Sequence, residues 1–358
     1  MNSILCLGSG LAPRYRLNAL TALALPSGAR IQFRYKPSLV AKSLRDKLEH
    51  GKLSGAEVLL GYVDCTAGGR VAENRCYILP YRYSRLISSR KVGSVFILQL
   101  QVCEFALADA GVFQKTLSGD LPRWSGQKDP IGEWCSELPR TINGIERTES
   151  LEDWEKIVGQ IRQREDFSKV AYFYTIEGLF ERGNDKSVPL SEGEYVLRTN
   201  KHYEFRVYHI DPDSDAHTGN KETQWLRVGV IGEGLRIPTT PLLAIDSPYD
   251  LKTIRLISGS GVMTQHASII LKDEGILDKR NNDEKVQRLE LYLPVKLKSA
   301  LFRTSLYALI LAALLGSQQF LLLLAQEPLK APVRMVSAAI ILSVVTGVFL
   351  AFGLRKPV

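Results

Sequence analysis

The chain has 358 residues, 45% of them hydrophobic and 23% charged, with a formal net charge of +8. This is the composition of a globular protein, and the length is too great for one small domain, so two folded units are expected. Its five cysteines are an odd number and contain no CxxC pair. That argues against a disulfide framework or a zinc knuckle and fits a reducing compartment.

The charge is unevenly placed. Residues 1–100 carry 15 Lys and Arg against 5 Asp and Glu, whereas residues 101–300 carry 26 against 32. The last 58 residues hold five basic groups and one acid. A basic first third beside an acidic middle implies either an anionic partner or contact between the two.

Residues 1–140 read as a basic, β-rich domain with one helix. Near the start, Arg14 and Arg16 precede the apolar run 17–25, which faintly imitates a secretory signal. Asn18 and Thr21 interrupt that run, so a cleaved leader is not expected. Residues 29–36 alternate, with Arg30, Arg34 and Lys36 on one face and Ile31, Phe33 and Tyr35 on the other. A helix is expected over 38–50, opened by Pro37 and Ser38, striped by Val40, Leu44 and Leu48, and closed by Gly51. Strands follow at 57–65, 76–87 and 94–107, the last reading as a central strand.

The run 80–91 sets Arg82, Arg85, Arg90 and Lys91 among Tyr81 and Tyr83. With Arg30, Arg34 and Lys36 it offers a surface for phosphate groups, whether of nucleic acid or of anionic lipid. A merely solvated basic face is the competing reading.

Residues 116–149, rich in Gly, Pro, Ser and charges, read as a loop, and 141–187 as a linker carrying a helix at 151–164. Ser150 and Asp153 have the spacing of a capping box, and Leu151, Trp154, Ile157 and Ile161 form the apolar stripe. Residues 188–298 hold six short alternating runs separated by polar turns, the pattern of an immunoglobulin-like β-sandwich. The acidic run 211–222 has carboxylates at calcium-loop positions. Ala216 stands where that loop needs glycine and the flanks read as strands, so a polar turn is the better reading.

Two uncharged stretches then follow, 305–325 with 21 residues and 335–354 with 20. About 20 helical residues cross a ~30 Å hydrocarbon layer, so a two-helix transmembrane hairpin is expected. Lys296, Lys298, Arg303, Arg355 and Lys356 flank its outer ends against Lys330 and Arg334 in the connector. The excess puts both termini and the soluble body on the cytoplasmic side. Ala308, Ala312 and Gly316 on the first span, and Ala339, Ser343, Gly347 and Ala351 on the second, form small-residue stripes. The stripes can pack within one hairpin or between protomers of a homo-oligomer. Gln318 and Gln319, near mid-membrane, need polar partners on the second helix, on a neighbouring subunit or in a pore.

The fold class expected is therefore mainly β, with two β-rich soluble domains followed by the hairpin. No metal or cofactor motif and no pairing of acid and base for catalysis stands out. The sequence points to a membrane-anchored, non-enzymatic receptor or effector that senses a ligand or protein partner and acts through an oligomerising hairpin. Its layout resembles that of membrane-acting effectors of bacterial defence systems, by analogy of architecture only. A membrane-tethered scaffold for nucleic acid, anionic lipid or a protein partner is the alternative.

Overall fold

The computed structural model describes residues 3–9, 13–64, 77–117, 122, 132–139, 142–164, 167, 170, 172–211, 223–260, 264–275 and 288–299. The fold is mainly β. In chain order the first part comprises β1 (Ile4–Ser9), α1 (Pro13–Ala24), β2 (Arg30–Tyr35), α2 (Lys42–Glu49), β3 (Glu57–Asp64), β4 (Tyr77–Val92), β5 (Val95–Ala108), α3 (Ala110–Thr116), β6 (Cys135–Glu137), β7 (Ile145–Thr148) and α4 (Leu151–Arg162). Its seven strands form one sheet in the order β2-β5-β4-β3-β1-β6, with β7 on the far half of β5. Every pairing is antiparallel except β1 with β3.

The remaining strands are β8 (Phe173–Glu181), β9 (Leu190–Ser191), β10 (Glu194–Arg198), β11 (His202–Ile210), β12 (Gln224–Gly232), β13 (Leu235–Arg236), β14 (Leu242–Ile245), β15 (Tyr249–Ser258), β16 (Gln265–Gly275) and β17 (Glu290–Lys298). They form a six-stranded sheet, β14-β12-β16-β17-β10-β9, and a four-stranded one, β13-β15-β11-β8. In β11 and β17 buried and exposed positions alternate, so each strand turns one face to the core. Beside them, β17 pairs in parallel with β10, Tyr195 opposite Val295.

Several elements depart from the sequence reading. The expected helix 38–50 is a short 3₁₀ turn, Pro37–Leu39, followed by α2; Val40 between them is extended and bridges Cys135. The expected linker 141–187 supplies β7 to the first sheet and β8 to the four-stranded sheet. β7 is only four residues long with a single apolar member, too little for periodicity to register. β8 is buried at every position but Glu177 and Glu181, so its burial shows no alternation. At α4 the side chain of Ser150 makes no capping bond. Asp153 is instead held by the Thr148 hydroxyl at 2.8 Å and by Lys156 at 2.7 Å.

The cysteines of the first sheet are free thiols. Cys6 and Cys135 face each other across β1 and β6 with sulfurs 4.0 Å apart, both fully buried. The thiol contact from Cys6 and burial push Cys135 well above the usual range, so it stays protonated and inert.

His209 on β11 is fully buried. Its Nε2 lies 3.2 Å from the Ser247 carbonyl oxygen, which can only accept, so that nitrogen carries the proton. Nδ1 has no partner, and a second proton there would bury an unpaired charge. Burial therefore lowers the pKa below that of a free histidine, opposed by the Ser247 bond, with Lys252, Asp250 and Asp246 nearby. The unfolded chain takes the proton first, so stability is complete above the unfolded value and is lost as pH falls through it. We expect urea midpoints of the wild type to drop as pH falls below about 6.5, and His209→Gln to flatten that drop. An equal drop in the variant contradicts the assignment.

Among the described residues no helix is long and apolar enough to cross a membrane. The segments 305–325 and 335–354, with all of their small-residue and glutamine positions, lie outside the described residues, as does 212–222.

Candidate functional site

The seven basic positions singled out in the sequence separate into three groups. Along β2, β5 and β4 the register places Arg30, Gln101 and Arg85 in one row and Arg34, Ile97 and Arg90 in another. Directly paired residues project from the same side of a sheet, so the four arginines share a face. Outer strands of such a triplet lie about 9–10 Å apart, close enough for one polyanion to span. All four are exposed, as is Lys36 just beyond β2. Among the described residues no carboxylate pairs with Arg34, Arg85 or Arg90; Glu57, the register partner of Arg85, is engaged by Arg147, as is Glu104. Arg30 is less available: its stem lies against Gly193, in the turn joining β9 to β10.

Lys91 projects from the opposite face, where Glu49 of α2 holds it at 3.2 Å and its ammonium lies 6.0 Å from the Phe96 ring centre. It therefore does not belong to the basic surface.

Arg82 is the larger departure. It is 1% exposed. Both neighbours of β4 shift register beside it, between Leu60 and Gly61 on β3 and between Arg82 and Ser84 against β5. Such bulges re-aim a side chain, and here the guanidinium turns into a cleft between the first sheet and the later ones.

The cleft encloses about 400 Å³. One wall is Leu25–Ser27, Arg82 and Phe105; the other is Thr175–Gly178, Ser187–Leu190 and Tyr195. The Arg82 guanidinium lies 3.8 Å above the centre of the Phe105 ring. Its Nη2 reaches the Ser27 hydroxyl at 3.4 Å, while Nε and Nη1 have no partner among the described residues. Burial pushes its pKa down to about 9, against weak support from Cys103, Glu149 and Glu104. The Tyr195 hydroxyl is also buried without a partner, and burial raises it. Glu149 and Glu177 stand exposed at the rim, Glu177 with Arg206 at 4.0 Å.

The sequence reading grouped Arg82 with Arg85, Arg90 and Lys91 as one surface for phosphate because all four stand in the run 80–91. The signal that separates them is Tyr81–Ser84, where four successive residues are all buried. A strand covered on both faces leaves an arginine no route to water. Glu149, Phe105 and Tyr195 were not singled out, since nothing in their local spacing marks them. No protein-family model matches the chain, and no curated protein matches it significantly.

Proposed function

We propose that this chain is a membrane-anchored, non-enzymatic receptor and effector. The β body, on the cytoplasmic side, takes a ligand into the cleft and passes the bound state to an oligomerising transmembrane hairpin. The six- and four-stranded sheets are read here as the two faces of an immunoglobulin-like sandwich.

One observation carries this reading. Tyr195 of β10 lines the cleft, its register partner on β17 is Val295, and β17 stops seven residues before the apolar segment 305–325. Any adjustment of β10 around a ligand acts on the strand that leads into the first span, with little slack between. The flanking charges and the small-residue stripes support the orientation and the assembly.

The exposed Arg34, Arg85 and Arg90 favour a second reading, a tether that binds anionic lipid or nucleic acid. The two separate in one experiment, in which the full chain is expressed in bacteria and the membrane potential is followed by dye fluorescence. The effector reading predicts depolarisation that is lost in Gln318→Leu with Gln319→Leu. An unchanged potential, together with salt-sensitive binding to anionic vesicles or nucleic acid that Arg85→Glu with Arg90→Glu abolishes, establishes the tether instead.

A further inference from the structure

We propose that the cleft binds a small oxyanion, a carboxylate or phosphate group, on the buried Arg82 guanidinium. The inference rests on the reading of the cleft as the receptor's ligand site and adds the chemistry of that ligand.

A charged side chain with two unpaired donor nitrogens is costly to bury, and folded proteins normally pair or coordinate such groups. Here the pairing is incomplete: one long contact to Ser27, none at Nε or Nη1. The arrangement is also specific. Phe105 lies under the guanidinium and fixes its plane, and Arg82 lines the cavity. A planar fork of N–H groups matches the paired oxygens of a carboxylate or phosphate, which a lysine could not do. The unpartnered Tyr195 hydroxyl, on the opposing wall, adds a donor from the later sheets. An oxyanion between the two would join the walls, which is what coupling to β17 requires.

Size and charge narrow the ligand. About 400 Å³ is near the lower end of the usual ligand-site range. The exposed carboxylates of Glu149 and Glu177 at the rim repel a chain of phosphates. A compact molecule with one carboxylate or phosphate therefore fits, and a polyanion does not.

The test is thermal unfolding of the purified full chain in detergent, followed by tryptophan fluorescence. Sodium phosphate and sodium acetate are compared with sodium chloride at equal ionic strength, so that general screening cancels. The wild type is expected to gain at least ~3 °C in one of the two anions, and the anion that works distinguishes a phosphate from a carboxylate ligand. Arg82→Met is expected to lose the shift and to melt higher than wild type in chloride, because an unpaired buried charge is replaced by an apolar chain. Arg82→Lys, which keeps the charge without the fork, should lose most of the shift. Arg85→Met with Arg90→Met should keep all of it.

No shift in either anion overturns the inference. So does a shift that survives in Arg82→Met, or an Arg82→Met that melts lower than wild type in chloride, which marks the arginine as structural. A wild type that leaves the membrane potential unchanged while the anion shift persists removes the effector reading alone. The reverse pattern removes only the oxyanion.

Discussion

Trp154→Ala is expected to destabilise the folded body by about 3–5 kcal/mol, the range for removing a fully buried aromatic side chain. Trp154 is fully buried on α4 beside Ile157, Val158 and Ile161. Its indole nitrogen donates to the Leu23 carbonyl on α1 at 3.1 Å, and its ring meets Tyr208 of β11 edge-on at 5.9 Å. Next to it, Glu155 accepts from the Tyr208 hydroxyl at 2.6 Å. α4 thus ties the first sheet's helix to the four-stranded sheet, and the tryptophan is the centre of that joint. Urea unfolding of the full chain in detergent measures the cost. Trp154→Phe, which retains most of the ring but orphans the Leu23 carbonyl, should cost only about 1–3 kcal/mol. If alanine shifts the midpoint no more than phenylalanine does, α4 is not the joint.

Gly232→Ala should cost more than about 3 kcal/mol, from two sources. At φ +105° the backbone lies where side chains are strained, worth roughly 1–3 kcal/mol alone. A Cβ there would also stand 2.5 Å from the His266 oxygen and 2.8 Å from the Ala267 Cα. Both are backbone atoms of β16, the strand paired with β12, and neither can turn aside as a flexible side chain would. Gly51→Ala is the control. It has φ +65° and nothing within 4 Å of the added carbon, so only the backbone term applies. Equal losses for the two variants, in the same urea experiment, contradict the steric part.

These elements differ in how far the sequence announced them. The alternation of β2 was legible, because one of its faces is buried and the other wet. The stripe of α4 was legible at Trp154, Ile157 and Ile161, whereas Leu151 stands exposed and the buried Val158 was passed over. The cap was not legible, because Thr148, two residues before Ser150, takes the carboxylate that a capping box assigns to serine. β1 is covered on both faces and β8 is buried everywhere but Glu177 and Glu181, so neither carries a clear period to read. α1 was taken only for a signal-like run, since its alanines and leucines pack without a polar face of charges.

The candidate site was legible in part. Arg30 and Arg34 share a face by simple parity, but Arg85 and Arg90 join them only through register. The two-residue turn at Gly93 and Ser94, where Gly93 adopts φ +57°, sets the register of Arg90, and a register shift between Leu86 and Ser88 brings Arg85 opposite Gln101. Lys91 follows Arg90 by one residue and so falls on the other face, within reach of Glu49. Arg82 stands three residues from Arg85, so alternation alone sets it on the other face, and grouping the basic residues of the run by nearness passed over this. The partners that make it a site, Phe105 and Tyr195, lie far from it along the chain and are brought near only by tertiary packing.

We propose that the hairpin assembles copies of this chain and that the β body drives it. Light scattering of the detergent-solubilised full chain, corrected for bound detergent, measures this directly. The account predicts a protein mass that is a multiple of 40.0 kDa, reduced to that of one chain by Gly316→Leu with Gly347→Leu, which fill the small-residue stripes. A wild-type mass of one chain would contradict it.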